Sequence, residues 1–487
     1  MIIPKEIKSV LEKLEKKGFE AYLVGGCVRD LLLNKKPKDW DITTNAKPKE
    51  IEKIFPKNFS DNNFGTVGVL TGSKDKSLEQ VEITPFRTEE KYTDKRHPDK
   101  VEWAKTIEED LSRRDFTINS IALKNQKNKS KSKIIDLFEG EKDLNNKIIR
   151  TVGKADDRFE EDALRMLRAV RFAVVFNFEI EKKTAEAIKK NSYWLKMISK
   201  ERIRDELLKI IMSDYADKGI ELLRELKLLQ YIIPELEENY KVGQNKHHIY
   251  DCYEHALFSL KYAVKKKFNK HVRLSALLHD IAKPRVKEGE GSNSTFYNHE
   301  IVGAKMTIQI LNRLRFSKKD IEKVTKLVRY HLFYYNVDEV GEASVRRLVR
   351  KVGIESMEEL LQVRMADRIG SGVPKAEPYK LRHLKYLIEK VSQDPISVKT
   401  LKVNGKDVMK ILDISPSQKI GQILDVLFGY VLSDPEKNKK DFLEKEIEKL
   451  GKLSEKELKE KSEQAKKERQ NIEIKKDKMT KDKYWVT

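Results

Sequence analysis

The segment AYLVGGCVRDLLL at 21–33 limits the possible folds of this chain more than any other. Ala21 to Val24 has strand character, Gly25-Gly26 breaks it, and Val28 to Leu33 reads as a helix that starts directly after the glycines. Such a turn aims backbone N–H groups at the space before the helix, where an anion can sit. Residues 5–17 read as an amphipathic helix carrying Ile7, Val10, Leu11 and Leu14, closed by Gly18. Asp41 to Thr43, Thr66 to Thr71, Leu78 to Phe86 and Ile134 to Asp136 are further strand candidates. From about residue 155 the pattern becomes helical, first on Leu164, Leu167 and Phe172, then on Ile203, Leu207 and Ile210, and it stays so to about 450. An α/β head on a long helical body is predicted.

With 487 residues the chain is long enough for roughly three domains and more than one core. Lys and Arg number 100 against 79 Asp and Glu, a net +21, which suits a surface that meets a polyanion such as nucleic acid. Cys27 and Cys252 are the only cysteines, so a disulfide framework and a cysteine zinc cluster are excluded. The N-terminal stretch lacks a signal-peptide core and no run approaches ~20 apolar residues, so a cytoplasmic protein with no membrane partner is expected. Residues 437–483 interleave Lys and Glu around sparse anchors such as Leu443, Ile447, Leu450 and Leu458, and read as a solvated helix fraying into disorder.

DWDITTNA at 39–46 follows the glycine unit. In a strand, residues two apart share a face, so Asp39 and Asp41 together offer oxygen ligands to hard cations such as Mg²⁺. Metal-assisted nucleotidyl transfer needs such a pair to activate a hydroxyl and neutralise pyrophosphate. In isolation a D-x-D more often marks a surface turn. Here Gly25, Gly26 and the forked donor Arg29 stand close by in sequence, and Glu82 in VEITPF offers a third carboxylate from another strand. An ordinary exposed strand position is the alternative for Glu82.

LVGGCVRDLLL at 23–33, DWDITTNA at 39–46, FGTVGVL at 64–70, EEDLSRRDFTINSIAL at 108–123 and EDALRMLRAVRFA at 161–173 resemble the successive motifs of the class II tRNA nucleotidyltransferases. That family comprises CCA-adding enzymes and bacterial poly(A) polymerases, and LKVNGKDVMKIL at 401–412 resembles the CCA-adding tail. The resemblance implies catalytic metals on Asp39 and Asp41, with Glu82 as third carboxylate, and a triphosphate met by Gly25, Gly26 and Arg29. It further implies that Arg114 and Asp115 hold the nucleotide, Asp115 through ribose hydroxyls, and that Asp162 and Arg165 read the base edge with Arg168 and Arg171 nearby. As i and i+3 residues of a helix, Asp162 and Arg165 would set an acceptor beside a forked donor, and a surface salt bridge is the plainer alternative. The polar stretch between Phe86 and Leu111 reads as a mobile loop; in this family a full-length loop here accompanies complete CCA addition.

His255, His279-Asp280, His299, His331 and Asp367 follow one another in helix-like segments. Imidazole with carboxylate suits a divalent ion, and the series resembles an HD metal phosphohydrolase domain. His255, His279, Asp280 and Asp367 occupy the motif positions, and His299 and His331 would serve a second ion. His97, His247, His248, His271 and His383 lie outside the series and read as structural or surface residues.

The domains expected are therefore a nucleotidyltransferase head at 1–145, a helical neck with the nucleotide-selecting helix at 146–238, an α-helical HD domain at 239–380, a helical tRNA-binding tail at 381–450 and the Lys/Glu extension at 451–487. The function implied is template-independent addition of CCA to the tRNA 3′ end from CTP and ATP. The alternatives are a poly(A) or A-adding polymerase, HD hydrolysis of 2′,3′-cyclic or 3′-phosphate RNA ends as the main activity, and a non-enzymatic RNA-binding protein.

Overall fold

The computed structural model describes residues 2–61, 65–90, 100–125, 132–244, 249–392 and 401–486. Phe64, residues 91–99 with His97, and His247 and His248 lie outside them. The chain divides into two compact units, residues 1–332 with 359–374, and residues 333–358 with 375–487.

The first unit opens with a helix, Lys5–Lys16, that buries Ile7, Val10, Leu11 and Leu14 as its periodicity predicted. Strands β1 (Ala21–Val24), β2 (Asp41–Thr44), β3 (Asn58–Asp61), β4 (Thr66–Leu70) and β5 (Gln80–Pro85) follow, then a separate antiparallel pair, β6 (Arg87–Glu90) and β7 (Lys100–Trp103), then β8 (Ile121–Lys124) and β9 (Lys133–Asp136). Seven of these form one sheet in the order β3-β4-β5-β2-β1-β8-β9, in which β2 and β5 alone run parallel. That pairing sets Asp41 opposite Glu82 and Ile42 opposite Ile83. Because strand residues alternate faces, Ile42, Val81 and Ile83 go to the core while Glu82 stays on the open side.

The described part of the stretch between Phe86 and Leu111, expected as a mobile loop, has secondary structure, and residues 91–99 of that expectation lie outside the described residues. It holds the β6–β7 pair and a helix, Ile107–Ser112, whose Thr106 and Glu109 form a capping box. The Trp103 ring of β7 lies over Gly65, where a β carbon would stand 2.4 Å from it.

In the neck, Ala155–Glu161 and Leu164–Phe176 are separate helices, and the second packs on Lys200–Ile211. The expected single helix through Asp162 and Arg165 is interrupted. Asp162 is extended (φ −143°, ψ 103°), and its carboxylate accepts from the Leu164 N–H. A short acidic side chain competes for backbone donors in this way, and it begins a new helix instead of continuing the old one. Helices Cys252–Lys265, Lys270–Leu278, His299–Arg313, Lys318–Tyr330 and the part of Ile354–Gly370 from Glu359 onward complete this unit.

The second unit gathers Leu401, Val403, Val408, Ile423, Leu427, Leu443 and Ile447 into its own core. Helix Glu342–Val352, counted above with the HD segment, packs on Tyr379–Ser392 in this unit, with Lys390 bonded to Glu342 at 3.0 Å. His383 stands among Tyr335, Tyr379 and Tyr386. The Lys/Glu extension, expected to fray, is a 30-residue helix, Glu455–Tyr484. A capping box of Ser454 and Glu457 starts it, Leu458, Ser462 and Ala465 are buried, and Gly429 lets the Ala465 methyl come close. Pairs four residues apart, Arg469–Glu473 and Asp477–Lys481, support its exposed face. Among the described residues no helix is long and apolar enough to cross a membrane.

One contact fixes the floor of the head. Gly140 begins the helix Gly140–Asn146 so tightly against the turn Thr117–Asn119 that a β carbon would lie 2.3 Å from the Thr117 carbonyl oxygen. Backbone cannot yield there as a flexible side chain can. Gly140→Ala should cost about 1–3 kcal/mol, read as a lower midpoint in urea unfolding; an unchanged midpoint would show that the turn is soft.

Candidate functional site

Two clusters of chemistry-bearing side chains stand in the first unit. The first surrounds the glycine turn. Gly25 has φ 72°, a left-handed conformation that favours glycine, and it caps the helix Gly26–Leu32. A β carbon there would lie 3.0 Å from Arg114 Nη1 and 3.6 Å from Asp41 Oδ2, so a larger residue would crowd both groups. Asp41 is the first residue of β2 and Glu82 its partner on β5. Asp39 lies in the bend before β2, not in the strand, because buried Trp40 anchors the chain between the two acids. Burial, then the Glu82 and Asp39 charges, raise the Asp41 carboxyl, while Arg114 and Arg29 pull it down; the balance is pushed up to about 6. Carboxylates whose charges bear on one another in this way are of the chemical type that suits a hard cation.

Arginines flank the acids, each fixed by a partner. Arg114 is bonded to Asp110 at 3.1 Å, and the same carboxylate takes Arg113 at 2.7 Å. Asp110 is fully buried, and its acidity survives because the two guanidinium groups outweigh the burial. Arg29 donates to Asp30 and, at 2.6 Å, to Asn119, and its guanidinium lies over Phe172 and Phe176. Asn119 donates to Asp115 Oδ1, which also accepts from the Phe116 N–H, while Asp115 Oδ2 takes Arg168. Burial alone would raise Asp115, but Arg168 and Arg165 hold it below the usual carboxylate range. Its two oxygens are thus occupied within the protein, and its place is that of a clamp on Arg168.

Helix Leu164–Phe176 carries the remaining arginines. Arg171 bonds Glu206 at 2.8 Å, lies over the Phe172 ring, and is pushed down to about 10 by burial. Arg165 and Asp162 are not paired with each other. Arg165 is bonded to Glu161 and to the Arg158 and Arg113 carbonyls, and Asp162 is held by Arg202 from the helix Lys200–Ile211. Asp110, Asn119, Arg202 and Glu206 were not singled out from sequence. Asp110 could have been found, three and four residues before Arg113 and Arg114 on a helical pattern, but Arg202 and Glu206 lie across a tertiary contact with no local signal.

The second cluster is the histidine series. His255 comes from Cys252–Lys265, His279 and Asp280 follow Lys270–Leu278, His299 opens His299–Arg313, His331 follows Lys318–Tyr330, and Asp367 sits in Ile354–Gly370. His279, His299 and His331 each have Nδ1 on the carbonyl oxygen three residues earlier, at 2.9, 2.7 and 2.7 Å. A proton on Nδ1 leaves the Nε2 lone pair facing inward, the arrangement a metal-binding imidazole needs. Two groups result: His255, His279 and Asp367, and Asp280, His299 and His331. Asp280 Oδ2 stands 3.1 Å from His255 and 3.3 Å from His279, whereas Oδ1 stands 3.3 Å from His299 and 3.7 Å from His331. Burial disfavours charge on His279, yet Asp280 and Asp367 outweigh it and hold the ring at about 10. Asp280 and Asp367, bonded to Lys283 and Arg364 at 2.6 and 2.7 Å, thus draw positive charge onto His279, the place a divalent cation would take. Beside it opens a cavity of about 460 Å³ lined by Lys283, Phe296, Tyr297, Arg364 and Arg368 with four of these ligand candidates. His271, outside the series, bonds Asp320 at 2.7 Å.

Residues 21–150 match the family of the poly(A) polymerase head domain, 177–240 that of the probable RNA- and SrmB-binding site of polymerase A, and 249–371 the HD domain. The head and HD families imply use of divalent metal ions, and the histidine cluster brings together two groups of side chains that fit one. The CCA-adding enzyme of Ligilactobacillus salivarius is 35% identical over 91% of this chain and 99% of its own. That of Streptococcus thermophilus is 36% identical over 71% of this chain and 79% of its own. The crystal structure of the Bacillus stearothermophilus CCA-adding enzyme in complex with CTP superposes with a TM-score of 0.60 at 25% identity, covering 92% of this chain and 98% of that one. Similarity that runs nearly end to end, over a head that sets Asp41 and Arg114 at one glycine turn, makes this chain a nucleotidyltransferase of the CCA-adding enzyme family.

Proposed function

We propose that the protein adds or repairs the 3′-terminal CCA of tRNA from CTP and ATP, without a nucleic-acid template. The observation that carries this reading is Asp41 at the Gly25 turn, with Glu82 opposite it and the Glu82 and Asp39 charges acting on it, in a chain of this family. Mg²⁺ is the hard cation the three carboxylates suit, and when bound it supplies charge for an activated 3′ hydroxyl and for the departing pyrophosphate. The tRNA 3′ oxygen forms a bond to the α-phosphorus of the nucleotide, and the bond to the pyrophosphate oxygen breaks. Gly25 and Gly26 leave room for the triphosphate, Arg114 braced by Asp110 faces it, and Arg29 stands behind. Asp162 and Arg165 select the base: cytosine and adenine both present an amino donor beside a ring-nitrogen acceptor, which a carboxylate and a guanidinium match. The net charge of +21 agrees with a tRNA partner, and the two buried free thiols agree with the cytoplasm.

A second activity is supported by the two metal-binding groups beside the 460 Å³ cavity: HD phosphohydrolysis, with 2′,3′-cyclic or 3′-phosphate RNA ends as candidate substrates. Its metal would rest on His255, His279 and Asp367, with Asp280, His299 and His331 for a second ion.

Incubation with tRNA lacking CCA and each nucleotide alone or mixed, followed by sequencing of the ends, tests the main reading; ends other than CCA would redirect it to A-adding or poly(A) activity. Asp41→Asn should abolish addition while leaving tRNA affinity nearly intact, since RNA binding rests on dispersed phosphate contacts. The same variant should be more stable than wild type in EDTA at pH 8. A carboxyl raised to about 6 stabilises the fold while protonated and loses that contribution as pH rises through 6, so the advantage of Asn should shrink toward pH 5. Near wild-type CTP incorporation would remove Asp41 from the mechanism.

Asp162→Ala and Arg165→Ala should keep residual polymerisation but lose discrimination against UTP and GTP, at about 1–3 kcal/mol per unmet polar group. Competition among all four nucleotides measures this, and unchanged selectivity at reduced rate would locate base reading elsewhere. His279→Ala combined with Asp280→Ala should remove divalent-metal binding and hydrolysis at the HD cluster and spare CCA synthesis; joint loss in a folded protein would show that the two sites are coupled.

A further inference from the structure

We infer that the cavity beside the histidine cluster is a receptor for the terminal phosphomonoester of a single nucleotide, held by Lys283, Arg364, Arg368 and Ser294 with the base against Phe296 and Tyr297. This rests on the reading of the cluster as a phosphohydrolase site, and it commits that site to one of the two phosphate types named for it. Arg364 and Arg368 stand four residues apart on the helix Ile354–Gly370, so both reach the cavity on the face that carries Asp367. The Asp367 carboxylate is divided: Oδ1 lies 3.5 and 3.7 Å from the His255 and His279 rings, and Oδ2 accepts from Arg364 Nη1 at 2.7 Å. Asp280 is flanked in the same way, its Oδ2 2.6 Å from Lys283 Nζ. Gln244 takes a second proton of Lys283 at 2.5 Å, and an ammonium group has three. Cations thus border the metal-binding groups within the cavity wall.

Segment 288–297 supplies another part of that wall. Glu288 and Thr295 pair as an antiparallel bridge, the reversal between them passes through Gly289 and Gly291 at φ 77° and 56°, and the bond from His299 Nδ1 to the Phe296 carbonyl ties the segment to the cluster. Ser294 lines the cavity at 2% exposure, and its hydroxyl has no hydrogen-bond partner among the described residues. Buried hydroxyls are rarely left so, and a phosphate oxygen would satisfy this one. Tyr297 lines the cavity beside Phe296 while 71% exposed, which offers a ring on which a base can stack. A volume of about 460 Å³ falls low in the range of about 300–1,000 Å³ usual for small-ligand sites, and suits one nucleotide better than two. Charge then selects the phosphate. With the histidines neutral, Asp280 and Asp367 against Lys283, Arg364 and Arg368 leave a positive balance, and every divalent ion adds to it. A phosphomonoester carries about −1.5 to −2 at pH 7, whereas a cyclic diester carries a single negative charge, so the monoester is the better match.

The test measures binding by calorimetry to the full-length chain in EDTA, with adenosine 3′-monophosphate and adenosine 2′,3′-cyclic phosphate as probes. The monoester should bind about tenfold more tightly than the cyclic ester. Arg368→Gln should weaken monoester binding about tenfold, the worth of one charge-assisted hydrogen bond, and Ser294→Ala about threefold. CCA addition by both variants, whose substitutions lie outside the head, reports that they are folded. Short RNAs ending in a 3′-phosphate or a 3′-hydroxyl distinguish the source of the ligand. A preference for the 3′-phosphate that Arg368→Gln abolishes assigns the pocket to RNA ends; no such preference, with the mononucleotide still bound, assigns it to free nucleotides, and both results agree with the proposal. Equal affinity for the two esters, or monoester affinity unchanged in both folded variants, would overturn it. Release of inorganic phosphate with Mn²⁺ is followed alongside. Release accompanied by either of those overturning results would leave the phosphohydrolase reading standing without this pocket. Absence of release from the wild type, with the expected affinities in EDTA, would overturn that reading and leave a nucleotide-binding pocket.

Discussion

The head depends on how closely backbone and charge approach each other at Gly25. Asp41 and Arg114 meet there because the turn carries no side chain, and the parallel β2–β5 pairing places Glu82 opposite Asp41. Burial, and after it the Glu82 and Asp39 charges, make the ionised Asp41 unfavourable for the protein alone, and its carboxyl is raised. A carboxylate held at such a cost marks a place where stability is traded for chemistry.

Around that point the structure is a set of arginine–carboxylate pairs in which each charge has a designated partner: Asp110 with Arg113 and Arg114, Asp115 with Arg168, Asp162 with Arg202, Glu206 with Arg171. Asp110, Asp115 and Glu206 are buried and the other members half-buried, so removing the arginine from one of these three leaves a buried carboxylate without compensation, which costs more than the pair itself contributes. Their value lies in orientation. The line from Arg29 through Asn119 and Asp115 to Arg168 ties the helix after the glycine turn to the helix after Asp162. The HD cluster uses a related device, with backbone carbonyls setting three imidazole rings and Asp280 presenting one oxygen to each group.

Local signals in the sequence carried much of this. The strand, glycine turn and helix at 21–33, the periodicity of Lys5–Lys16 and the ordered histidine series each show in a few neighbouring residues, and the structure brings those residues together. Other features depend on tertiary contact. Asp162 breaks the helix because its carboxylate meets a backbone N–H and Arg202, and periodicity is blind to both. The Lys/Glu tail has too few apolar residues to look ordered, yet a cap at Ser454 and the close approach of Gly429 to Ala465 give it a partner. The β6–β7 pair is short and charged, and β7 packs through Trp103 on a glycine nearly forty positions away.

The central claim is that the crowded carboxylates of the head exist to hold divalent cations against a nucleotide triphosphate. Crystals grown with Mn²⁺ and a non-hydrolysable CTP analogue, measured for anomalous scattering, address it directly. The account requires Mn²⁺ density between the Asp41 carboxylate and the triphosphate, with Asp39 or Glu82 completing the oxygen ligands. A nucleotide bound with its phosphates away from these acids, or no Mn²⁺ beside Asp41 at saturating concentration, would contradict it.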